Sequence, residues 1–322
     1  MLPVNLLVIS APAASYLRAL DKLPAGTKVT ISDDPGLLKE AAAEADVLLN
    51  CSGKGDRLKE IWPFLRKVRW IHSLSAGVEH QVFSELASSQ IPLTNARGVF
   101  KESLGEFVIA AALFFAKDFR RMIRNQEAGR WEQFDVEELY RQTMGVVGYG
   151  EIGRAAARRG KALGMRVLAT RRRASLSEKD EIADETFASE DRGEMISQSD
   201  VVVVSTPLTP ETRGLIGEAE IARMKPSAII INVGRGPVID ESALIRALDA
   251  KSIRGAALDV FDQEPLPQGH PFWKMENLLL SPHCADHTAD WLDQAIDVFI
   301  VNFQRFTAGQ PLLNVVDKSA GY

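Results

Sequence analysis

The stretch that decides the fold is Met144-Gly145-Val146-Val147-Gly148-Tyr149-Gly150-Glu151-Ile152-Gly153. A short apolar run enters the glycine pattern G-x-G-x-x-G, and a helical pattern from Ile152 to Leu163 leaves it. Another apolar run begins at Arg166. Strand, glycine turn, helix and strand in this order predict a βαβ unit that binds a dinucleotide.

Each glycine of the turn has a separate physical task. Gly148 makes the tight turn, Gly150 lets the backbone approach a pyrophosphate, and Gly153 allows the helix to pack closely on the strand. The N–H groups at the helix start, at Glu151 and Ile152, would face the negative charge of the pyrophosphate. The alternative is a plain strand-turn-helix unit, which the surrounding pattern makes the weaker interpretation.

Short apolar runs alternate with helical patterns along most of the chain. Runs without polar alternation are typical of strands buried on both faces, and helices between them predict parallel α/β layers. The predicted strands are Asn5 to Ser10, Val47 to Asn50, Trp70 to Ser73, Met144 to Gly148, Arg166 to Thr170, Val201 to Ser205, Ala228 to Asn232, Gly255 to Asp259 and Leu278 to Ser281.

Two long helical patterns complete the predicted architecture. The first runs from Lys101 to Gly129 and would bridge two domains, with Gly129 as its stop. The second runs from Asp286 to Thr307, and Asp286 or Thr288 could cap it. If this last helix returns to the first block, both termini build one domain around a central one.

Composition excludes several classes of protein. The chain has 322 residues with 46% hydrophobic and 25% charged residues, which excludes a disordered or fibrous protein. Its formal net charge of -5 gives no indication of nucleic acid or an anionic membrane as a partner. Two cysteines and no basic leader before Arg18 favour a reducing, cytoplasmic location, and the apolar run Phe107 to Ala116 is too short to cross a bilayer.

The end of the second strand of the βαβ unit selects between cofactors. An NAD site usually places Asp or Glu about twenty residues after the glycines, to bind the ribose hydroxyls. Here the strand ends in Thr170-Arg171-Arg172-Arg173. Guanidinium groups can bind a 2′-phosphate through paired, charge-assisted hydrogen bonds, so NADP(H) is favoured and NAD(H) stays possible. A solvated basic turn is the alternative.

Three later strands are each followed by a residue that can do chemistry: Arg235, Glu264 and His283. In an open parallel sheet the carboxyl ends of the strands face one crevice, where a dinucleotide also lies. His283 could donate the proton that an alkoxide needs after hydride transfer, and Glu264 could orient the imidazole and favour its charged form. Arg235 could hold a carboxylate, which selects 2-oxo acids over simple ketones.

Other interpretations apply to single residues of this region. Arg and Glu after strands are usually solvated, and a lone His is more often structural than catalytic. His283 and His287 flank Cys284 at a spacing that zinc could use, but no second ligand cluster is visible, so no metal is expected. Trp131 could pack in the core or reach a partner subunit.

The sequence closely resembles the D-isomer-specific 2-hydroxyacid dehydrogenases over essentially its whole length. Six blocks carry the resemblance: Leu74-Ser75-Ala76-Gly77-Val78-Glu79, Gly145 to Gly153, Thr206-Pro207-Leu208-Thr209-Pro210-Glu211-Thr212, Asn232-Val233-Gly234-Arg235-Gly236, Leu258 to Pro265 and Ser281-Pro282-His283. The resemblance implies a Rossmann-type, doubly wound parallel sheet domain at 99–289, inserted into a smaller flavodoxin-like α/β substrate domain at 1–98 and 290–322. It also implies a homodimer.

The resemblance also implies roles for individual residues. Arg235, Glu264 and His283 match the catalytic trio, and the backbone N–H groups at Ala76 and Gly77 match a loop that holds the substrate carboxylate. Thr206, Pro207, Val233 and Asp259 fall where family members line the cofactor. Cys284, Asp286 and His287 depart from the small residues that many members carry there.

The predicted activity is hydride transfer between NADP(H) and a small 2-oxo acid or D-2-hydroxy acid. Arg171 stands where NAD-dependent members usually carry Asp, which resembles the NADPH-using glyoxylate and hydroxypyruvate reductases. An alternative stays open, because the same fold with the same trio also serves as a dinucleotide-binding corepressor. Turnover distinguishes the two.

Overall fold

Two parallel β-sheets with helices between their strands make up the fold in the computed structural model, which describes residues 3–171 and 181–321. The strands are β1 (Asn5–Ile9), β2 (Lys28–Ser32), β3 (Val47–Asn50), β4 (Trp70–Ser73), β5 (Leu93–Asn95), β6 (Thr143–Val147), β7 (Arg166–Arg171), β8 (Glu185–Ala188), β9 (Val201–Val204), β10 (Ile229–Asn232), β11 (Gly255–Leu258) and β12 (Leu278–Leu280).

The helices follow the strands along the chain. They are α1 (Pro35–Ala42), α2 (Asp56–Ile61), α3 (Ser84–Ser88), α4 (Lys101–Ala116), α5 (Phe119–Glu127), α6 (Glu151–Ala162), α7 (Arg192–Gln198), α8 (Glu218–Ile221), α9 (Glu241–Asp249) and α10 (Trp291–Thr307). The contacts between residues divide the chain into two units, Met1–Val99 with Ala289–Tyr322 and Phe100–Thr288.

The first unit contains a five-stranded sheet in the order β2-β1-β3-β4-β5, paired in parallel throughout. This order is that of a flavodoxin-like sheet. The inner strands β3 and β4 are buried at every position, as expected for strands covered by helices on both faces. Helix α10 from the end of the chain packs here, and Phe299 stacks on Trp70 with 5.3 Å between ring centroids.

The second unit contains a seven-stranded sheet in the order β12-β11-β10-β9-β6-β7-β8, also parallel throughout. The order reverses at β6, which pairs with β7 on one side and with β9 on the other. This is the Rossmann arrangement, in which a ligand lies outside the carboxyl ends of the strands at the reversal. The predicted α/β fold class is confirmed.

Both long helical predictions need correction. The pattern from Lys101 to Gly129 forms two helices, because Asp118 adopts a left-handed backbone with φ of 50° and its side chain accepts a hydrogen bond from the Arg121 N–H. Asp118 therefore caps α5 and ends the continuity with α4. Helix α10 begins at Trp291, after Asp290, so neither Asp286 nor Thr288 is its cap.

Three strands escaped sequence-based prediction, and all three lie at sheet edges. Strand β2 is largely exposed and strand β8 is mostly half-buried, so neither has a continuous apolar run. Strand β5 is buried but has only three residues, two of them polar. An edge strand pairs on one side only, and its sequence carries a correspondingly weak signal.

The structure also shows the exposure of Trp131 and the length and polarity of the helices. Trp131 is 97% exposed, so the prediction that it could pack in the core is wrong. The helices in the described part of the chain are all too short or too polar to traverse a bilayer.

His72 is the most deeply buried imidazole of the first unit. Its Nδ1 lies 2.6 Å from Thr94 Oγ1, which also accepts a hydrogen bond from Trp70 Nε1, and its ring packs on Phe299. Burial lowers the pKa of His72 from 6.5 to about 3. The folded protein therefore holds this imidazole neutral at pH values where the unfolded chain binds a proton.

This difference makes folding sensitive to acid. When the pH falls below the pKa of His72 in the unfolded chain, the unfolded chain binds a proton at His72 and the folded protein does not. The free energy of unfolding should therefore fall by about 1.4 kcal/mol per pH unit. We expect His72→Phe, which keeps a ring against Phe299, to reduce the loss of unfolding free energy between about pH 7 and about pH 5 by about 2 kcal/mol. Urea denaturation at the two pH values measures this difference.

The matched control is His80→Gln, because 78% of the His80 side chain is exposed. Its pH-dependent loss should equal that of the wild type. An equal loss in the His72→Phe variant would contradict the account of the buried imidazole.

Candidate active site

The glycine turn lies at the carboxyl end of β6, where the sheet order reverses. Gly148 has φ of 90°, and a Cβ there would lie 2.6 Å from Thr206 Cγ2. A Cβ on Gly153 would lie 2.5 Å from the Gly148 carbonyl oxygen, so only glycine allows this close packing of α6 on the strand. A Cβ on Gly150 would have nothing within 4 Å, and Glu151 and Ile152 begin α6 directly after it.

The loop after β9 lies against this turn. The Ser205 hydroxyl donates to the Gly148 carbonyl at 2.7 Å, and Thr206 Oγ1 is buried with no hydrogen-bond partner among the described residues. A buried hydroxyl without a partner is costly unless a ligand satisfies it. Pro207, the next residue, is exposed. The open glycine backbone and this hydroxyl fit a bound dinucleotide.

Arg171 ends β7, next to the turn, because Thr170 pairs with Val147 in the parallel ladder. Its guanidinium carbon lies 4.7 Å from the centroid of the Tyr149 ring, and the residue is 9% exposed. Arg172 and Arg173 lie outside the described residues. Arg154, in the first turn of α6, also faces Tyr149, at 5.6 Å, and sequence reasoning missed it. Its position directly after the third glycine is the signal that could have found it.

Arg235 follows β10 on a loop that Asn232 holds. The buried Asn232 amide donates to the Arg235 carbonyl at 3.0 Å and accepts from the Gly234 N–H at 3.0 Å. Val233, between them, is buried and donates its N–H to the Val204 carbonyl. A Cβ on Gly236 would lie 2.0 Å from the Phe261 carbonyl carbon, so this loop packs directly on the loop after β11.

Glu264 and His283 form a hydrogen-bonded pair. Glu264 Oε2 lies 2.6 Å from His283 Nδ1, and Glu264 Oε1 accepts from the Phe261 N–H at 2.9 Å. The hydrogen bond to Glu264 raises the pKa of His283 above its ordinary value, although burial and the charge of Arg235 oppose this. Burial would raise the pKa of Glu264, but hydrogen bonds from His283 and from the Phe261 backbone hold it below its usual value.

Asp259 organises the loop that carries His283. Its carboxylate is buried, and Oδ1 accepts three hydrogen bonds, from the Ser281 hydroxyl at 2.6 Å and from the N–H groups of Cys284 and Ala285 at 3.0 and 3.1 Å. His283 between these donors has a left-handed backbone with φ of 54°. Sequence reasoning placed Asp259 beside the cofactor and did not find this contact, because the donors follow a different strand.

The residues after His283 are also placed by this loop. Cys284 is exposed, and the Ser103 hydroxyl on α4 donates to the Ala285 carbonyl at 2.6 Å. Burial raises the pKa of the Asp286 carboxyl above its usual value.

The structure thus brings the three predicted side chains together within the second unit. The charge of Arg235 acts on the protonation of both Glu264 and His283. Ala76 and Gly77 belong to the first unit, where they are half-buried after β4, and in the described part of the chain their N–H groups donate no hydrogen bond. Two adjacent free N–H groups of this kind can bind an anion.

Comparison with known proteins identifies the family. Residues 109–285 match the model of the D-isomer specific 2-hydroxyacid dehydrogenase, NAD binding domain. A glyoxylate reductase of Korarchaeum cryptofilum is 33% identical over 271 residues, 80% of this chain and 79% of that protein. The chain belongs to the D-isomer-specific 2-hydroxyacid dehydrogenase family.

Solved structures of the family share the whole fold. A D-isomer specific 2-hydroxyacid dehydrogenase from Xanthobacter autotrophicus, in complex with NADPH and MES, has a TM-score of 0.84 and 31% identity, covering 99% of this chain and 100% of its own. An NADPH-dependent glyoxylate/hydroxypyruvate reductase from Sinorhizobium meliloti, in complex with NADP and sulfate, has a TM-score of 0.84, 26% identity and full coverage of both chains. The predictions of the family and of an oxidoreductase with a nicotinamide-dinucleotide domain are confirmed.

The contact between Glu264 and His283 can be tested by titrating the imidazole. We expect Glu264→Gln to lower the pKa of His283, because the carboxylate that favours the charged imidazole is lost. Chemical shifts of the His283 ring, followed by NMR as a function of pH, measure the change.

The matched control is Glu276→Gln, which removes an exposed carboxylate of the same unit that pairs with Arg124. The His283 titration should be unchanged in this variant. Identical titrations in wild type and Glu264→Gln would contradict the electrostatic role of Glu264.

Proposed function

We propose that the chain is an NADP(H)-dependent reductase of small 2-oxo acids, with glyoxylate and hydroxypyruvate as the leading substrates. The observation that carries this proposal is the His283–Glu264 pair at 2.6 Å, under the charge of Arg235 and at the carboxyl edge of a dinucleotide-binding sheet. An acid held in its charged form beside an anion-binding guanidinium suits reduction of a carbonyl next to a carboxylate.

The cofactor assignment to NADP(H) rests on Arg171 and on two relatives. Arg171 ends β7 where an NAD site usually carries a carboxylate, and the relatives from X. autotrophicus and S. meliloti were solved with NADPH and NADP. Gly148, Gly150 and Gly153 with the start of α6 would hold the pyrophosphate, and Thr206, Pro207 and Val233 would line the cofactor. When bound, NADPH supplies a hydride to the carbonyl carbon of the substrate.

His283 holds and moves the proton of the reaction. Because Nδ1 is committed to Glu264, the proton for the substrate oxygen is held on Nε2. The raised pKa of His283 keeps this proton bound to a higher pH than in a free imidazole. In the oxidative direction the same Nε2 accepts the proton from the hydroxyl group. Asp259 keeps the ring in position through the three hydrogen bonds to its loop.

Each unit, considered by itself, offers a candidate donor for the carboxylate of a substrate. The Arg235 guanidinium, whose Nη1 donates to the Gly234 carbonyl at 2.7 Å, carries the positive charge that would attract a carboxylate. Ala76 and Gly77 offer free backbone N–H groups, the role that resemblance to the family implies. Residues 1–98 and 290–322 would then act as the substrate domain, and 99–289 as the dinucleotide domain. The names of the relatives from K. cryptofilum and S. meliloti support glyoxylate and hydroxypyruvate as substrates.

The proposed activity is tested by turnover. Purified protein is mixed with NADPH or NADH and with glyoxylate, hydroxypyruvate, pyruvate or phenylpyruvate, and cofactor absorbance is followed. We expect NADPH to be consumed faster than NADH, most rapidly with glyoxylate or hydroxypyruvate. We expect His283→Ala to lose about a hundredfold or more in kcat while NADPH affinity is kept, because only proton transfer is removed.

The control variant is His287→Ala, which removes a neighbouring imidazole that is 52% exposed and should retain turnover. Binding of NADPH without consumption by any 2-oxo acid would favour the corepressor-like alternative. Full turnover in His283→Ala would contradict the acid/base assignment.

We also propose that the protein is a cytoplasmic homodimer whose interface includes α5 and the segment after it. Large apolar side chains are exposed there, which is unusual for a surface that faces water. They are Phe119, Met122, Ile123, Trp131, Val136 and Tyr140. A second copy of the chain would bury them, as family resemblance implies.

A charge in this surface should prevent dimerisation. Ile123 is 51% exposed on α5, so Ile123→Glu places a carboxylate in the proposed interface without entering the core of the unit. We expect a monomer by sedimentation equilibrium, against a dimer for the wild type. Leu37→Glu is the matched control, since Leu37 is 57% exposed on α1 of the first unit and should leave the dimer intact. An unchanged mass for Ile123→Glu would contradict this interface.

A further inference from the structure

The loop that carries Ala76 and Gly77 is held from one side by the residues at the end of β5. The Ser75 carbonyl accepts a hydrogen bond from the Ala96 N–H at 3.2 Å. The Ala76 carbonyl accepts one from the side-chain amide of Asn95, with 2.5 Å between Nδ2 and the oxygen. Two consecutive peptide units of the loop therefore have their carbonyl oxygens fixed toward the end of β5.

This fixation also sets the direction of two N–H groups. Both peptide units are trans, and in a planar trans unit the N–H points opposite to the carbonyl. The N–H groups of Ala76 and Gly77 are therefore directed away from β5, and neither donates a hydrogen bond within the described part of the chain. Donation by Asn95 to the Ala76 carbonyl also polarises that peptide unit, which makes the Gly77 N–H a stronger donor.

Asn95 is a buried polar side chain, and its contact with the loop accounts for its amide. The residue is 5% exposed, its Nδ2 donates to Ala76, and its Oδ1 accepts from the Arg97 N–H at 3.3 Å. It pairs with Ser73 in the parallel ladder, so it lies beside the strand that leads into the loop. A buried amide is costly unless its polar atoms are hydrogen-bonded, and an apolar side chain carries no such requirement. The amide therefore indicates a positioning task.

The segment around Asn314 holds the end of β5 in turn. Thr94 and Val315 form an antiparallel bridge, and the Asn95 N–H donates to the Asn314 carbonyl at 3.3 Å. The Asn314 side chain donates to the Arg97 carbonyl at 2.8 Å, from a left-handed backbone with φ of 54°. The end of β5 is thus bound both by the loop and by this segment.

We propose that Asn95 is a positioning residue for the reaction, which directs the Gly77 N–H toward the carboxylate of a 2-oxo acid. The inference rests on the proposed function, and it adds the side chains of Asn95 and Asn314 to a loop that acts through its backbone. Without the amide, the peptide unit between Ala76 and Gly77 is less restrained, so binding of the anion has to order it. Carboxylate binding should weaken, whereas the hydride and proton steps should be unaffected.

The test compares binding and turnover at saturating NADPH in the full-length protein. In Asn95→Ala we expect the KM for glyoxylate and the inhibition constant of oxamate to rise about tenfold, while kcat changes less than about twofold. Oxamate carries the same carboxylate but is not reduced, so its inhibition constant measures binding alone. A residue that only supports the fold would lower the fraction of active protein, and hence kcat, without changing KM.

Asn95→Asp gives a pH-dependent form of the test. When protonated, the introduced carboxyl group has the shape of the amide and can donate to the Ala76 carbonyl. When ionised, it only accepts hydrogen bonds, and its charge repels the carboxylate of the substrate. We expect the ratio of the variant KM to the wild-type KM to rise with pH between about 5 and about 8, because burial raises the pKa of the introduced group. The ratio cancels the titration of His283, which both proteins share.

Asn5→Asp is the matched control. The Asn5 amide also donates to a backbone carbonyl, that of Glu44 at 3.0 Å, but it lies at the amino end of the same sheet. Its KM should equal the wild-type KM at every pH. Asn314→Gly keeps the left-handed backbone and removes the amide at a half-buried site, so it should raise KM about twofold to threefold. It serves as a second variant should the changes at Asn95 prevent folding.

An unchanged KM and an unchanged oxamate inhibition constant in Asn95→Ala would overturn the inference, as would a loss confined to kcat. The same result in Asn314→Gly would overturn it if the Asn95 variants do not fold. If the wild type reduces glyoxylate or hydroxypyruvate and these constants do not move, the proposed activity stands and the role of Asn95 is wrong. If the wild type reduces no 2-oxo acid, the proposed function itself fails, and the role of Asn95 fails with it.

Discussion

Parallel pairing of the second sheet is the constraint on which the rest of the site depends. Strands β6 and β9 to β12 each pair in parallel with their neighbours. All of their carboxyl ends therefore lie at the same edge of the sheet. The glycine turn, the Arg235 loop and the His283 loop each begin at that edge. Residues separated by more than a hundred positions in sequence, such as Gly148 and His283, are thereby brought to the same side of the same unit. The order and direction of the strands alone therefore place these loops at one edge of the sheet.

Within this frame, buried polar side chains set the geometry of the loops. Asp259 accepts hydrogen bonds from three donors of the His283 loop. The Asn232 side chain donates to the Arg235 carbonyl and accepts from the Gly234 N–H. A left-handed backbone at a residue other than glycine costs roughly 1 to 3 kcal/mol, and hydrogen bonds from the flanking residues to a buried carboxylate can compensate for it at His283. The imidazole is consequently held with Nδ1 on Glu264, and we propose that Nε2 is the atom that exchanges a proton with the substrate.

Much of this could be predicted from sequence, because buried strands and glycine turns have strong local patterns. Nine strands of the described chain were predicted to within about one residue, and the pairing of Glu264 with His283 was expected from the strand ends. The edge strands β2, β5 and β8 were missed because one-sided pairing leaves little apolar signal. The end of α4 near Asp118 was missed because the helical spacing of apolar residues continues across this position. The helix ends there because one residue, Asp118, has a left-handed backbone, which the spacing does not indicate.

Contacts between distant loops were beyond sequence reasoning. Asp259 holds the His283 loop through donors that follow β12. The contact of Arg154 with Tyr149 depends on the conformation of the Arg154 side chain. Neither has a periodic pattern. Both involve polar or aromatic groups that fix the direction of another side chain, and such directions are set by tertiary packing.

Hydride transfer to the carbonyl carbon of a 2-oxo acid is the central claim, and the fate of a labelled hydride tests it most directly. Hydroxypyruvate or pyruvate is reduced with NADPH that carries deuterium at the transferable position of the nicotinamide, and the product is examined by NMR and by chiral chromatography. The account predicts the D-2-hydroxy acid with deuterium on the carbon next to the carboxylate. A product without deuterium at that carbon, or the L enantiomer, would contradict it.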